Sequence, residues 1–133
     1  MLSRETEERV RQHLRLAKGL LETAALKGDS TEFEERNALS RAYYAMFHAF
    51  SGLLLSRGME PSKSHGGLSR QIERSLGRDI AQSTEDIYEL RRFADYDASW
   101  VLVRHLNEAK LKVALRNVAW ACANAEEKLM PTL

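Results

Sequence analysis

The 133-residue sequence is poor in cysteine (one), proline (two) and glycine (seven), and its net charge is only +1. Each scarcity closes a route. The lone Cys122 excludes an internal disulfide and suits a reducing compartment. Twenty Lys and Arg against nineteen Asp and Glu give no global field for nucleic acid or an anionic membrane, so any such binding has to be a local patch. No stretch approaches the roughly 20 apolar residues needed to span a bilayer. The opening Met1-Leu2-Ser3-Arg4-Glu5 also lacks the apolar core of a secretory signal. The expectation is a soluble cytoplasmic protein with no membrane partner. Without internal repeats or low-complexity segments, residues 1–133 are expected to form a single domain, large enough to bury a core without disulfides or metal.

What is there is helical periodicity. Val10, Leu14, Ala17, Leu21 and Ala24 recur in steps of four and three, predicting an amphipathic helix from Ser3 to about Lys27. Gly28-Asp29-Ser30 ends it, and Thr31 with Glu34 has the spacing of a capping box, so a second helix starts near Glu32. That helix runs to Arg57, with Gly58 as its stop and Pro61 preventing continuation. Residues 59–67 read as the main connecting loop, followed by a short helix carrying Leu68, Ile72 and Leu76 and halted at Gly77. Ser83 and Thr84 ahead of Glu85-Asp86 predict the start of a fourth helix, ending in Arg91 to Asp97. Trp100 to Val103 reads as a packed connection. A last helix from about Arg104 to Lys128 carries Leu111, Leu115, Val118, Cys122, Ala125 and Leu129. The fold class expected is all-α, an up-and-down bundle of four main helices plus a short one.

The second helix carries the most unusual stretch, Ser40 to Phe50. Leu39, Tyr43, Met46, Phe50 and Leu53 form one apolar seam, while Arg41 and His48 project from the opposite side within about 20° of each other, with Tyr44 between them. Because Tyr44, Ala45, Gly52 and Leu55 surround that basic pair, the helix is expected to be buried on two sides. Arg41 and His48 have two readings: local pairing inside a helix contact, or an anion site in which arginine clamps phosphate and histidine moves a proton. Lys63 and His65 are candidate phosphate contacts in the loop. Arg91 and Arg92 either bridge to Asp95 and Asp97 or face a ligand. The four histidines, His13, His48, His65 and His105, have no metal-site spacing and one cysteine makes no zinc cluster, so neither a metal nor another cofactor is expected.

Three blocks, Ser40-Arg41-Ala42-Tyr43-Tyr44-Ala45-Met46-Phe47-His48-Ala49, Lys63-Ser64-His65 and Leu90-Arg91-Arg92-Phe93-Ala94-Asp95-Tyr96-Asp97, resemble the small prokaryotic HEPN-domain proteins. The resemblance runs from the second helix to the last. It implies a helical bundle, a homodimer and a partner nucleotidyltransferase, the two acting as a toxin–antitoxin module. It also implies, for many members, metal-independent RNA cleavage by an arginine and a histidine four to six residues later. Here the position five residues after Arg91 is Tyr96, a poor proton acceptor at neutral pH, and no histidine follows until His105. Arg41 and His48 have six residues between them, close to that pattern, but they sit in a different helix.

Three functions follow as expectations. The first is a dimeric partner of a nucleotidyltransferase, with a nucleotide or RNA phosphate site drawn from Arg41, Tyr44, His48, Lys63, His65, Arg91 and Tyr96. The second is an RNA endonuclease in which dimerisation brings Arg91 and Asp95 near His48 or His65. The third is a structural bundle without a ligand.

Overall fold

A 25-residue helix with almost no polar face needs neighbours on several sides, and that need arranges the whole chain. The computed structural model describes residues 2–24, 31–97 and 108–129. It contains α1 (Arg4–Glu22), α2 (Glu32–Ser56), α3 (His65–Leu76), α4 (Arg78–Tyr96) and α5 (Glu108–Glu126). No strand occurs among the described residues. Helix α2 touches all four others. Its seam of Leu39, Tyr43, Met46, Phe50 and Leu53 is buried throughout, and from Ala49 to Ser56 every residue is buried. The second buried side is thus an intrachain one, covered chiefly by α1, α5 and α4. On the α1 side Gly52 permits the approach: a Cβ there would come within 3.2 Å of Leu14 Cδ2 and 3.4 Å of His13 Cβ.

The helix ends follow local chemistry. Thr31 accepts a hydrogen bond from the Glu34 amide at 3.2 Å, so the expected N-cap forms, while the Glu34 carboxylate accepts from the Thr31 hydroxyl at 3.2 Å in place of the Thr31 amide that a full capping box would use. Gly58 (φ 80°) and Gly77 (φ 101°) occupy the left-handed region where a side chain is strained, and they end α2 and α3. Ser64 caps α3 by accepting from the Gly67 amide at 3.1 Å, so α3 begins at His65, inside the segment expected to be loop.

Two expectations are corrected. Ser83 and Thr84 do not start a helix. Gly77 turns the chain directly into α4 at Arg78, and both hydroxyls lie buried in its interior. They are satisfied there, because Thr84 Oγ1 donates to the Ala81 carbonyl at 2.7 Å and Ser83 Oγ accepts from Asn117 of α5 at 2.8 Å. The first helix ends at Glu22, with Thr23 as its C-cap, short of Lys27. The expected connection at Trp100 to Val103 and the start of the last helix near Arg104 lie outside the described residues.

Helices α2 and α4 run antiparallel, since Arg36 near the start of α2 reaches the end of α4. Arg36 Nη1 donates to the carbonyls of Ala94 at 2.7 Å and Asp97 at 2.6 Å, while Glu32 holds its Nη2 at 3.1 Å. A cation at these carbonyls answers both the unpaired acceptors and the negative end of the helix dipole. Arg36→Ala is expected to destabilise the fold by about 1.5–3 kcal/mol, the range for hydrogen bonds to charged groups. Urea unfolding should show this together with faster amide exchange over 93–97, and an unchanged midpoint would remove Arg36 from the capping role.

Candidate functional site

The site is built where α2, α3 and α4 meet. Tyr43 belongs to the α2 seam and is buried, at 4% exposure. Its hydroxyl lies 3.4 Å from His65 Nδ1 at the start of α3. His65 Nε2 lies 3.0 Å from Glu85 Oε1 in α4. With Nε2–H given to the carboxylate, Nδ1 is left to accept the phenolic proton, so the three groups form a Tyr43–His65–Glu85 chain. The imidazole also stacks on Tyr88, with centroids 3.8 Å apart and planes 10° apart. Burial pushes the Tyr43 phenol above its ordinary value while Arg91 pulls it down, so at neutral pH it remains a donor.

Arg91 completes the cluster from α4. Its guanidinium carbon lies 4.9 Å from the Tyr43 ring centroid and 5.1 Å from that of Tyr44, and its Nε sits 3.3 Å from Asp95 Oδ2. That nitrogen is buried and lacks hydrogen-bond alignment to the carboxylate, so the ring faces and the ion pair together hold it. Arg92 stands over Tyr88 at 5.9 Å. Tyr44 is 41% exposed and forms the outer wall. Arg41, one turn before Tyr44 on the same face of α2, is exposed and has no ion pair among the described residues. The result is a cationic and aromatic surface over a hydrogen-bonded floor. Chemically it can receive a phosphate on the guanidinium groups and a flat ring against the tyrosines.

The residues singled out in the sequence divide. Tyr44, His65, Arg91 and Asp95 come together around Tyr43, while Arg41 stays exposed one helical turn before Tyr44. His48 leaves the group: its Nδ1 lies 3.0 Å from His13 Nδ1, in the contact between α1 and α2. Its two-turn offset from Arg41 puts it on the same face, but α1 covers that end of the face. Lys63 is exposed in the connection before α3, where its charge acts on Glu60. Tyr96 is 80% exposed, and five residues of helix turn it away from Arg91, whereas Asp95 at four residues faces it. His105 lies outside the described residues.

Tyr43, Glu85 and Tyr88 are the site residues that sequence reasoning did not select, whereas Arg92, read beside Arg91, does face the cluster through Tyr88. The signal was present: Glu85, Tyr88, Arg91 and Asp95 recur at three, three and four residues along one helical face. Placing the start of the helix at Ser83 turned Glu85 into an N-terminal acidic residue and hid the stripe. Among the described residues no group of three or more His, Cys, Asp or Glu side chains can hold a metal ion. No described helix is long and apolar enough to cross a membrane.

Fold and site together define an all-helical bundle with an aromatic–basic surface at one helical corner. No family model matches the chain. The chain is 31% identical over 106 residues to Putative toxin MJ0605 of Methanocaldococcus jannaschii, covering 72% of this chain and 74% of that protein. It belongs to the family of that protein. It is also 38% identical over 65 residues to UPF0332 protein PH1297 of Pyrococcus horikoshii, covering 49% of this chain and 44% of that protein. A second Methanocaldococcus jannaschii protein, Putative toxin MJ0142, is 32% identical over 68 residues, covering 47% of this chain and 46% of that protein. The chain thus spans less than half the length of two of these three relatives.

Proposed function

We propose that the chain is a HEPN-type bundle, one domain over residues 1–133, that serves as the toxin-like component of a two-protein module with a nucleotidyltransferase. In this reading it is a homodimer, and the α2–α3–α4 corner binds a phosphate-bearing ligand, a nucleotide or RNA. The observation that carries the reading is the Arg91 guanidinium laid against the Tyr43 and Tyr44 rings at 4.9 and 5.1 Å, with Arg92 over Tyr88 beside it. The toxin names of two relatives support the module class.

Binding is favoured over cleavage because both ring nitrogens of His65 are already engaged, one by Tyr43 and one by Glu85. A base for the RNA 2′-hydroxyl needs a nitrogen open to the substrate. The nuclease reading therefore needs Tyr43 to move aside. Three-part testing separates these outcomes. Expression of the chain in a bacterial host is expected to slow growth, and co-expression of a nucleotidyltransferase from the adjacent reading frame to relieve it and to co-purify. Light scattering is expected to give a dimer at micromolar concentration. Labelled RNA is expected to be bound and recovered intact, whereas cleavage lost in His65→Ala would establish the nuclease. Absence of both a growth effect and co-purification would overturn the module, and a monomer would overturn the dimer.

A further inference from the structure

The functional reading leaves a second pair of titratable groups unused. His13 Nδ1 of α1 and His48 Nδ1 of α2 lie 3.0 Å apart, with ring centroids separated by 5.2 Å and planes tilted by 36°. At that distance the contact is a hydrogen bond between two imidazoles, which requires one N–H and one bare nitrogen. Two imidazolium rings would face each other as like charges with no acceptor between them. Both rings are half-buried, and the pair sits beside Gly52, where a Cβ would come within 3.4 Å of His13 Cβ.

The charges around the pair bias it in one direction. Arg9, one turn before His13, adds a cation, and its guanidinium is held by both Glu60 carboxylate oxygens at 2.8 and 2.5 Å. Glu5 acts on Arg9, and Lys63 acts on Glu60. On the α2 side the nearest ring to His48 is apolar Phe47, at 5.9 Å between centroids. Among the described residues Glu60 is the carboxylate acting on His13, and it is already committed to Arg9.

We propose that the His13–His48 pair is a proton-operated latch that fastens α1 to α2 through a single shared hydrogen bond and lets α1 go when a second proton arrives. The latch is independent of any phosphate site. Burial holds both imidazoles below their usual value, and for His13 the neighbouring His48 and Arg9 push further in the same direction against Glu60. With folded values below the unfolded one, the unfolded chain takes up protons first as pH falls. Stability is therefore complete above about pH 6.5 and is lost progressively between there and the folded values.

The test is urea unfolding of the full chain from pH 7.5 to 5, with amide exchange followed helix by helix. In this window the unfolding equilibrium constant is expected to rise by up to about tenfold per pH unit for each ring that stays neutral in the folded state. Amides of α1 should lose protection before those of α3 and α4. The His13→Gln/His48→Gln variant, whose amide side chains do not titrate, is expected to lose at least half of this acid dependence. NMR titration of the unmodified protein supplies a readout that does not depend on the variant folding: His13 and His48 should titrate below about 6.5. Titration of both at the ordinary imidazole value, equal acid dependence in variant and unmodified protein, or uniform loss of protection across the helices would each overturn the latch.

Discussion

Replacing Phe50 by alanine is expected to remove about 3–5 kcal/mol of folding stability, the range for deleting a buried aromatic ring. Phe50 is among the largest side chains with no exposed surface, and it sits in the part of α2 that is buried all round. A cavity on the border of a helix with a free face can be filled by solvent or by a shift of that helix. Here every residue from Ala49 to Ser56 is buried, so the vacated space has to be closed by moving several helices at once. Domains of this size have a total stability of about 5–15 kcal/mol, so the variant should lie close to its unfolding threshold. The measurement is the urea midpoint at constant denaturant slope. A loss below about 1 kcal/mol would mean that the core closes easily and that α2 is less tightly enclosed than its burial indicates.

Arg91→Ala is expected to weaken binding of a phosphate-bearing ligand by roughly 10- to 100-fold, corresponding to loss of about 1.5–3 kcal/mol for hydrogen bonds to a charged group. The same change frees Asp95 from its ion pair, and the uncovered carboxylate then repels the phosphate. Arg91→Lys separates the contributions. It keeps the charge but loses the planar face that lies against Tyr43 and Tyr44, so recovery is expected to be partial. Binding of a labelled RNA and of ATP to each variant checks the result, with urea unfolding as the control for fold. Unchanged affinity in Arg91→Ala would make Arg91 a brace between α2 and α4 and nothing more.

The bundle was legible because its signals are local. The Thr31 cap on the Glu34 amide, the glycine stops at Gly58 and Gly77 and the seam through Leu39 and Phe50 depend only on nearby residues, and each formed where the pattern placed it. The two-sided apolarity of α2 was legible too, as a demand for more than one covering helix. The pairing of His48 was not. Its separation from Arg41 was read correctly around the helix axis, yet which neighbour covers which turn is settled by how α1 crosses α2, and no residue of α2 encodes that by itself. The same limit applies to Arg36, whose partners are backbone carbonyls 58 and 61 residues away and leave no side-chain pattern to read. At Ser83 and Thr84 the difficulty was a cap-like pair of hydroxyls that lies inside a helix. Gly77, read only as a stop, also begins α4, and the two hydroxyls bond to Ala81 of the same helix and to Asn117 of α5.

The junction at Gly77 has a mechanical consequence. A single residue separates α3 from α4, and the helices fold back so that His65, at the far end of α3, meets Glu85 and Tyr88. Twelve residues of helix make a lever about 18 Å long. A swing of about 5° at that elbow would carry His65 about 1.6 Å, comparable with a large fraction of its 3.8 Å stack on Tyr88. The dimensions of the corner therefore depend on a glycine joint well away from it together with the burial of Leu68 and Ile72, which holds the lever against the bundle.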